Sequence, residues 1–475
     1  MLPPIYSTRA AISLFDALTT SNKGLIFPDA TISSVSTALA GFHRKAIQHG
    51  VPQANIIVLA TEAMRRAANS GLLLDAIAKS TDGLVVHILD PPVETLCGAI
   101  MGSRSSLATL PQQGALFLDL GGGSVQMTWV DPLNPDYHYR AADAGVSLPF
   151  GAAKLSRILK NEEASVREEQ IDTLRSSMSM AYDSLCKRFP RLQTLKDAYQ
   201  QGRGGMVEVY MCGGGFRGYG SMLMHTDEAR PYPFSSVNGY SVPASRFRDT
   251  ARLRKMNDEF RAPIFGLSSR RRQQFPAIMT VIESFTNAVP NIGNVTFCGG
   301  SNREGALMMK LPHVVRESNP LEVLARISES EKATFGTVAQ LLWQAVPDDT
   351  QVRTIPTILS TGMLPLVLEE TWSRQAYGQD ANTSFTLRHS LIRDTDAPGL
   401  SHQNRALLAL TLSARWGGDL SEADAILYQQ LQSIVDRAHA GSSFWAALFG
   451  GLLRIIADIQ PTLPLDGRQI EDKIR

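Results

Sequence analysis

The chain has 475 residues, 44% of them hydrophobic and 19% charged, which is typical of a globular protein with a sizeable core and roughly two to four domains. Its 46 basic and 45 acidic residues nearly cancel, so no overall field attracts nucleic acid or an anionic membrane, and neither is predicted as a partner. The four cysteines are far apart and have no zinc-ligand spacing, which favours a reducing, intracellular compartment over a disulfide framework.

The first part of the chain alternates between helical and strand-like patterns. Apolar residues at helical spacing predict helices over 31–49, from Glu62 to Ser70, and over 95–105. The short apolar runs 55–61 and 84–89, rich in β-branched residues, predict buried strands. Strands that alternate with helices indicate an α/β architecture.

Three further strands each run directly into a glycine-rich turn. Residues 115–130 predict a strand, a glycine turn and a second strand, and segments 207–215 and 294–312 repeat the strand-to-glycine plan. Beyond Pro312 the pattern is helical to the end, with a polar loop predicted at 376–402. The sequence therefore predicts an α/β part followed by a helical part.

The segment from Asp119 to Ser124 carries the strongest chemical signal. A buried strand delivers the Asp119 carboxylate at its end, and Gly121, Gly122 and Gly123 then let the backbone turn tightly. Successive N–H groups without Cβ atoms suit a phosphate, the Ser124 hydroxyl adds a donor, and a carboxylate suits Mg²⁺. The alternative is a plain glycine-rich β-turn, which the preceding FLDL strand and the following serine make the weaker interpretation.

Five motifs occur in the order found in one protein family. The family patterns ATxALRxAxN, DxGGGSxE, SLPLGxxRL, a third glycine turn and SxxGLREG resemble segments 60–69, 119–126, 147–155, 213–217 and 300–305. On these motifs the sequence resembles the exopolyphosphatase/guanosine pentaphosphate phosphohydrolase (Ppx/GppA) family. The wording GGGSVQMTW and the helical C-terminal part are similar to its fungal branch.

The resemblance implies an α/β fold of the actin/Hsp70-like (ribonuclease H-like) kind, with two domains around a phosphate-binding cleft and an additional α-helical C-terminal domain. On this basis we expect the first actin-like domain, N-terminally truncated, in 1–112, the second in 113–312 and the helical domain in 313–475.

The helical C-terminal part shows no metal chemistry of its own in the sequence. Long family members carry an HD-type region there, but the His-Asp pair has no counterpart in this chain. His389 and His402 are isolated, so we interpret them as ordinary surface or capping histidines. The apolar stretch 444–453 is too short to span a bilayer and is predicted to be a buried helix.

The resemblance also assigns roles to single residues. Glu94 matches the glutamate that activates the attacking water, and Arg65 matches an arginine that contacts phosphate. The glycine turn at 119–124 matches the family's second phosphate loop and is called here the second glycine turn. Its carboxylate, Asp119, is expected to hold Mg²⁺, and phosphate is expected to bind to Gly121, Gly122, Gly123 and Ser124. Without the resemblance, Glu94 is a helix N-terminal residue and Arg65 an exposed helix arginine.

Two basic features of the sequence each have two possible interpretations. Arg217 follows the third glycine turn and faces either an anion or solvent. The run Arg270-Arg271-Arg272 is the only dense basic run and forms either a local basic groove or a solvated helix start.

Two departures from the family pattern bear on activity. The family begins with a first phosphate loop, DxGSNS, upstream of a segment like TRAAISLF (8–15), and no counterpart precedes that segment here. We expect this part of the cradle to be absent, as in a truncated gene model or an alternative start. The glutamate that ends DxGGGSxE is Gln126, which can donate a hydrogen bond but cannot balance a metal charge. Both departures disfavour efficient hydrolysis.

Two functions follow from the resemblance. The first is a cytoplasmic regulator whose phosphate- or nucleotide-binding fold relays mitochondrial state to nuclear gene expression through a protein partner. The second is a Mg²⁺-dependent phosphohydrolase that removes terminal phosphate from polyphosphate or guanosine pentaphosphate; a sugar kinase of the same superfold is a weaker third. The missing first loop and Gln126 favour the regulator, while Glu94, Arg65 and DLGGGS keep the hydrolase open. A homodimer is compatible with either.

Overall fold

The computed structural model describes residues 5–22, 24–105, 113–346, 363–393, 397–463, 470 and 473. The domain boundary predicted at 112 lies outside the described residues, as do residues 394–396 of the predicted polar loop. Within the described residues the chain is mixed α/β as far as its last strand, which ends at Phe297, and helical after it.

The first region consists of helices around two small sheets. Its elements are α1 (Leu14–Ala17), β1 (Thr19–Ser21), β2 (Gly24–Ile26), α2 (Asp29–Gln48), β3 (Val58–Ala60), α3 (Glu62–Arg66), α4 (Ser70–Ser80), β4 (Val86–Ile88) and α5 (Pro91–Ser105). Strands β1 and β2 form an antiparallel hairpin, whereas β3 and β4, which lie inside the two predicted apolar runs, pair in parallel. Apolar side chains of β2, β3 and β4 and of α2, α3 and α4 share one core cluster.

The second region is built on one six-stranded mixed sheet. Its elements are β5 (Ala115–Leu120), β6 (Val125–Val130), α6 (Tyr137–Ala144), β7 (Val146–Leu148), α7 (Ala152–Asn161), α8 (Ala164–Arg188), α9 (Pro190–Gln200), β8 (Val207–Cys212), α10 (Gly213–His225), β9 (Tyr240–Pro243), α11 (Ala244–Phe247), α12 (Thr250–Glu259), α13 (Ser269–Gln273), α14 (Phe275–Ala288), β10 (Ile292–Phe297) and α15 (Asn302–Met309).

The strand order of this sheet is β7-β6-β5-β8-β10-β9. Strands β5, β8 and β10 run parallel, β6 and β7 continue from β5 as an antiparallel meander, and β9 is antiparallel to β10. A meander extended by two parallel strands is the ribonuclease H-like arrangement. Because parallel strands end at the same edge of a sheet, the glycine turns after β5, β8 and β10 all lie at that edge.

Both faces of this sheet are covered. Leu116, Leu118 and Leu120 of β5 point into the larger core, which contains side chains of α8, α10 and α14. On the opposite face, Phe117 stacks on Tyr210 of β8 with ring centroids 5.1 Å apart. Strands buried on both faces have nearly continuous apolar sequences, which explains why the sequence predicts them clearly.

The helical region contains eight helices within the described residues: α16 (His313–Glu317), α17 (Pro320–Ala325), α18 (Glu329–Gln344), α19 (Met363–Thr371), α20 (Gln379–Ile392), α21 (His402–Trp416), α22 (Glu422–Ala438) and α23 (Ser442–Ile459). Helix α21 is central and packs against α19, α20, α22 and α23.

Helix α20 shows that the loop predicted at 376–402 is wrong. The helix was missed because its buried face carries small polar residues, including Thr383, Thr386 and Ser390, in place of an apolar stripe. Their hydroxyls donate to the backbone carbonyls one turn earlier, at 2.9, 2.8 and 2.8 Å respectively. These bonds satisfy the donors, so the face can be buried although its hydropathy is low.

Buried polar contacts join the helical region to the second region. Asp227, just past the end of α10, pairs with Arg437 of α22 at 3.0 Å. His402, at the start of α21, is buried and is not a surface histidine; its ring bonds to the Tyr232 hydroxyl (2.9 Å) and to the Ser236 carbonyl (2.8 Å). Burial lowers the pKa of His402 to about 3, so the imidazole is neutral at neutral pH.

Helix α23 contains the apolar stretch 444–453. Among the described helices, it alone is long and apolar enough to cross a membrane. This is weak evidence for a membrane span, because the core helix of a globular protein can have the same length and composition, and 44% of α23 is buried. Its inward face places Trp445, Phe449 and Leu453 in the core of the helical region. The packing is that of a core helix with one exposed side.

Candidate functional site: a cleft lined by glycine turns

The second glycine turn is a tight connection between β5 and β6. The Gly121 N–H donates to the Ser124 carbonyl at 3.0 Å. The carbonyl oxygens of the turn accept 3.0 Å hydrogen bonds from amides at the start of α7, in the pairs Ala152–Gly121, Ala153–Gly122 and Gly151–Gly123. A Cβ on Gly151 would lie 2.4 Å from the Gly122 backbone. The SLPFG motif therefore ends in a glycine because α7 docks directly on the turn.

This turn has its carbonyls bonded and its amides available. In the described part of the chain, the N–H groups of Gly122, Gly123 and Ser124 have no acceptor. Successive amides of this kind can form an anion-binding concavity. Residues of the first region border the turn, since a Cβ on Gly123 would lie 2.6 Å from both the Phe15 ring and the Glu62 side chain.

Asp119 lies where the glycine turns meet. Gly213 opens α10 with a φ of 83°, and a Cβ there would lie 2.1 Å from Asp119 Oδ1, so only glycine fits. On the other side, Asp119 Oδ2 and Asn302 Oδ1 lie 3.6 and 3.7 Å from the position of a Gly98 Cβ. Burial raises the pKa of Asp119, and the positive charge of Arg217 opposes this shift.

The closing SNREG motif joins the two regions. Ser301 caps α15 by accepting a hydrogen bond from the Arg303 amide at 3.3 Å. A Cβ on Gly305 would lie 2.1 Å from the Cys97 carbonyl, so this glycine lets α15 cross closely over α5. The crossing holds α5, with Glu94 in its first turn, beside the sheet.

Two arginines lie at the third glycine turn. Arg217 donates to the Gly300 carbonyl at 3.0 Å. Arg271 of α13 packs against α10, and a Cβ on Gly214 would lie 2.2 Å from its Nη2 atom. Among the described residues, the Arg271 guanidinium has no hydrogen-bond or ion-pair partner. Burial first, then the charges of Arg270 and Arg217, lower the pKa of Arg271 to about 10, so a bound anion would relieve repulsion here.

On the first-region side of the cleft, the charged side chains bond to one another. Arg65 donates to Glu94 at 2.9 Å, to Glu62 at 3.0 Å and to the Leu89 carbonyl. Burial raises the pKa of Glu94; the bond from Arg65 opposes the shift, and the charges of Asp119 and Glu62 add to it. The predicted general base and the predicted phosphate ligand thus neutralise each other.

The side chains around Asp119 fit Mg²⁺ poorly. A small cavity, with room for about one water molecule, is lined by Asp119, Gln126 and, from α5, Thr95 and Gly98. Asp119 is the only carboxylate among its lining residues, whereas Gln126 contributes a buried amide nitrogen without a hydrogen-bond partner. The described residues contain no group of three histidine, cysteine or carboxylate side chains able to hold a metal ion. Mg²⁺ takes six oxygen ligands, and this set supplies one charged group.

The family model of the Ppx/GppA phosphatases matches residues 1–314, more than half of the chain. The chain belongs to the Ppx/GppA phosphatase family. Residues 319–473 match the RTG2 C-terminal domain. Retrograde regulation protein 2 of Saccharomyces cerevisiae is 28% identical over 493 aligned positions, which cover 100% of this chain and 78% of that protein. The resemblance seen in the sequence motifs is therefore confirmed.

Solved structures of family members are similar over part of the chain. The type II variant of the Aquifex aeolicus Ppx/GppA phosphatase has a TM-score of 0.43 and 17% identity, covering 60% of this chain and 85% of that one. An exopolyphosphatase from Cytophaga hutchinsonii has a TM-score of 0.41 and 18% identity, covering 62% and 84%. Family membership and the strand order of the second region together give the actin-like fold class predicted from the sequence.

The predicted site residues form two groups. Asp119, the turn 121–124 and Gln126 lie together at the edge of the large sheet, whereas Arg65 and Glu94 pair with each other on the opposite side. Their roles in binding phosphate, metal and water remain predictions.

Arg271 lies against the third glycine turn, and the sequence identified it only as one member of a basic run. An arginine run has the same sequence pattern whether it is solvated or packed. Only the tertiary contact with Gly214 distinguishes Arg271 from its two neighbours in the run.

Proposed function

We propose that this chain is a signalling regulator whose cleft binds a phosphate-bearing ligand, either polyphosphate or a phosphorylated nucleotide, and passes the bound state to a protein partner. The similarity to Retrograde regulation protein 2 and the RTG2-type C-terminal domain support a role in relaying mitochondrial state to nuclear gene expression. A cytoplasmic location and a regulatory protein partner belong to this proposal.

The unequal state of the two sides of the cleft carries the proposal. On the second-region side, the amides of the glycine turn and the Arg271 guanidinium have no partner among the described residues and suit an anion. On the first-region side, Arg65 donates a 2.9 Å hydrogen bond to Glu94 and opposes the rise in pKa that burial causes, which makes Glu94 a weaker base. This combination favours binding over turnover.

Isothermal titration of the purified chain with tripolyphosphate and with guanosine pentaphosphate tests the binding step. We expect saturable binding of at least one of them, and none of citrate, a small polyanion that has no phosphate groups. A folded chain that binds neither phosphorylated ligand would remove the basis of the proposal.

Mg²⁺-dependent hydrolysis of a terminal phosphate is the second candidate function. Burial raises the pKa of Glu94, which favours a general base, and Asp119 is near enough to add to that shift. Phosphate release from both ligands with Mg²⁺ present, measured for the chain and for Glu94→Gln, separates the two functions. We expect no release above background from either protein. Release that disappears in Glu94→Gln would establish the hydrolase and Glu94 as its base.

A further inference from the structure

Asp119 and Gln126 face each other across neighbouring strands. They are register partners in β5 and β6, so their side chains leave the same face of the sheet. Both line the cavity beneath α5, together with the next pair along, Phe117 and Thr128. The Thr128 hydroxyl already donates to the Ala141 carbonyl. The polar character of the cavity next to the glycine turn is therefore set by the Asp119–Gln126 pair.

The charge in this cavity is too small for a strongly bound divalent cation. Gln126 is 4% exposed, and its Nε2 atom has no hydrogen-bond partner. Arg217 offsets the charge of Asp119, and the Glu94 carboxylate, whose pKa the charge of Asp119 helps to raise, is paired with Arg65 at 2.9 Å. Mg²⁺ gives up its water reluctantly, and Ca²⁺- and Mg²⁺-type sites gain affinity with the number of charged ligands. A single, partly offset carboxylate beside a neutral amide does not meet that requirement.

We propose that Gln126 keeps this cavity free of a resident divalent cation, so that Mg²⁺ enters the cleft only together with a phosphorylated ligand. The Gln126 side chain is neutral at the position where the family pattern has a carboxylate, so Asp119 is the only charged ligand among the described residues that line the cavity. A neutral amide does not balance the charge of a divalent cation. The part concerning Mg²⁺ entry rests on the proposed function, whereas the state of the cavity does not.

Mn²⁺ titrated into the ligand-free chain, with free ion followed by electron paramagnetic resonance, tests the cavity directly. We expect the wild-type chain to bind Mn²⁺ no more tightly than Asp119→Asn does. Gln126→Glu places two carboxylates side by side, and we expect it to bind Mn²⁺ at least about tenfold more tightly than the wild type. Gln201→Glu adds the same charge at an exposed position and is expected to change nothing.

Tight Mn²⁺ binding by the wild-type chain that is lost in Asp119→Asn would overturn the inference, and this comparison does not depend on Gln126→Glu folding. Unchanged Mn²⁺ affinity in a Gln126→Glu protein with a normal melting temperature would overturn it as well. Tripolyphosphate binding, with and without Mg²⁺, is a separate titration. An absence of tripolyphosphate binding would contradict the proposed function, but it would not affect the conclusion drawn from Mn²⁺ binding to the ligand-free chain.

Discussion

The polar groups on the two sides of the cleft differ in whether they have hydrogen-bond partners. On the second-region side, the amides of Gly122 to Ser124 and the Arg271 guanidinium lack partners among the described residues. On the first-region side, Arg65 bonds to Glu62 and Glu94 within 3.0 Å. Residues of the family motifs lie on both sides. The two sides differ in hydrogen-bond pairing: the unpaired groups are available to a ligand, whereas the paired groups stabilise the fold.

The energetics of polar burial explain why the difference is informative. Leaving a fully buried donor unpaired costs about 1–3 kcal/mol, but the donors on the second-region side are not all buried, since Gly122 is exposed and Arg271 is half-buried. Water can pair with such donors until a ligand replaces it. A buried ion pair is different, because removing one partner strands the other charge at a cost of about 3–5 kcal/mol. The second-region side should therefore respond to mutation mainly in affinity, and the first-region side mainly in stability.

The largest expected effect comes from the third glycine turn, where the backbone packs directly against Asp119. Gly213→Ala should lower the free energy of unfolding by about 3 kcal/mol or more, because it combines a positive φ with a Cβ placed 2.1 Å from Asp119 Oδ1. Gly41→Ala in the open interior of α2 is the matched control and should stabilise by about 0.5–1 kcal/mol. Urea unfolding measures both. Equal effects at the two positions would show that Gly213 is not constrained.

Arg65→Met should cost about 3 kcal/mol of stability and change tripolyphosphate affinity little, because it leaves Glu94 buried without its partner. Arg66→Met, at the exposed neighbour 3.7 Å from Glu62, should cost less than about 1 kcal/mol. Thermal unfolding and calorimetry on the same samples separate the two quantities. If Arg65→Met kept its stability and lost ligand affinity, the first-region side would also be a ligand side.

Arg271→Met should show the reverse pattern. Loss of one charge-assisted hydrogen bond, worth about 1.5–3 kcal/mol, predicts tripolyphosphate binding weakened at least about tenfold. Stability should stay the same or rise, because the substitution removes an unpaired charge beside Arg217 and Arg270. Arg303→Met, whose side chain is 72% exposed, is the control for a general loss of positive charge. Equal weakening in both variants would reduce the effect to non-specific electrostatics.

The smallest expected effect is a pH dependence from Glu94. Because burial raises its folded pKa above the ordinary value of 4.5, Glu94 contributes stability below about pH 4.5 that is lost as the pH rises through the folded pKa. The stability of Glu94→Gln relative to the wild type should therefore increase between pH 4.5 and the folded pKa. Melting temperatures across that range check the sign, with the exposed Glu329→Gln as control. A decrease would mean that the Arg65 bond outweighs burial.

Features that depend on a short stretch of the chain could be predicted from the sequence. The largely buried strands β5, β8 and β10 are mostly apolar, and the glycine turns that follow them indicate the family and the sheet edge at which the cleft lies. Sequence-based prediction failed for α20, whose buried face uses hydroxyls bonded to its own backbone, and for the burial of His402.

The sequence by itself determined the fold class and the strands that run into glycine turns, because each depends on residues that are neighbours along the chain. Only the tertiary structure decided which polar groups satisfy each other. Arg65 and Glu94 are far apart in sequence yet bonded, while Arg271 is carried against Gly214 from another helix. Hydrogen-bond pairing depends on distances of about 3 Å between residues remote in sequence, which no local pattern encodes.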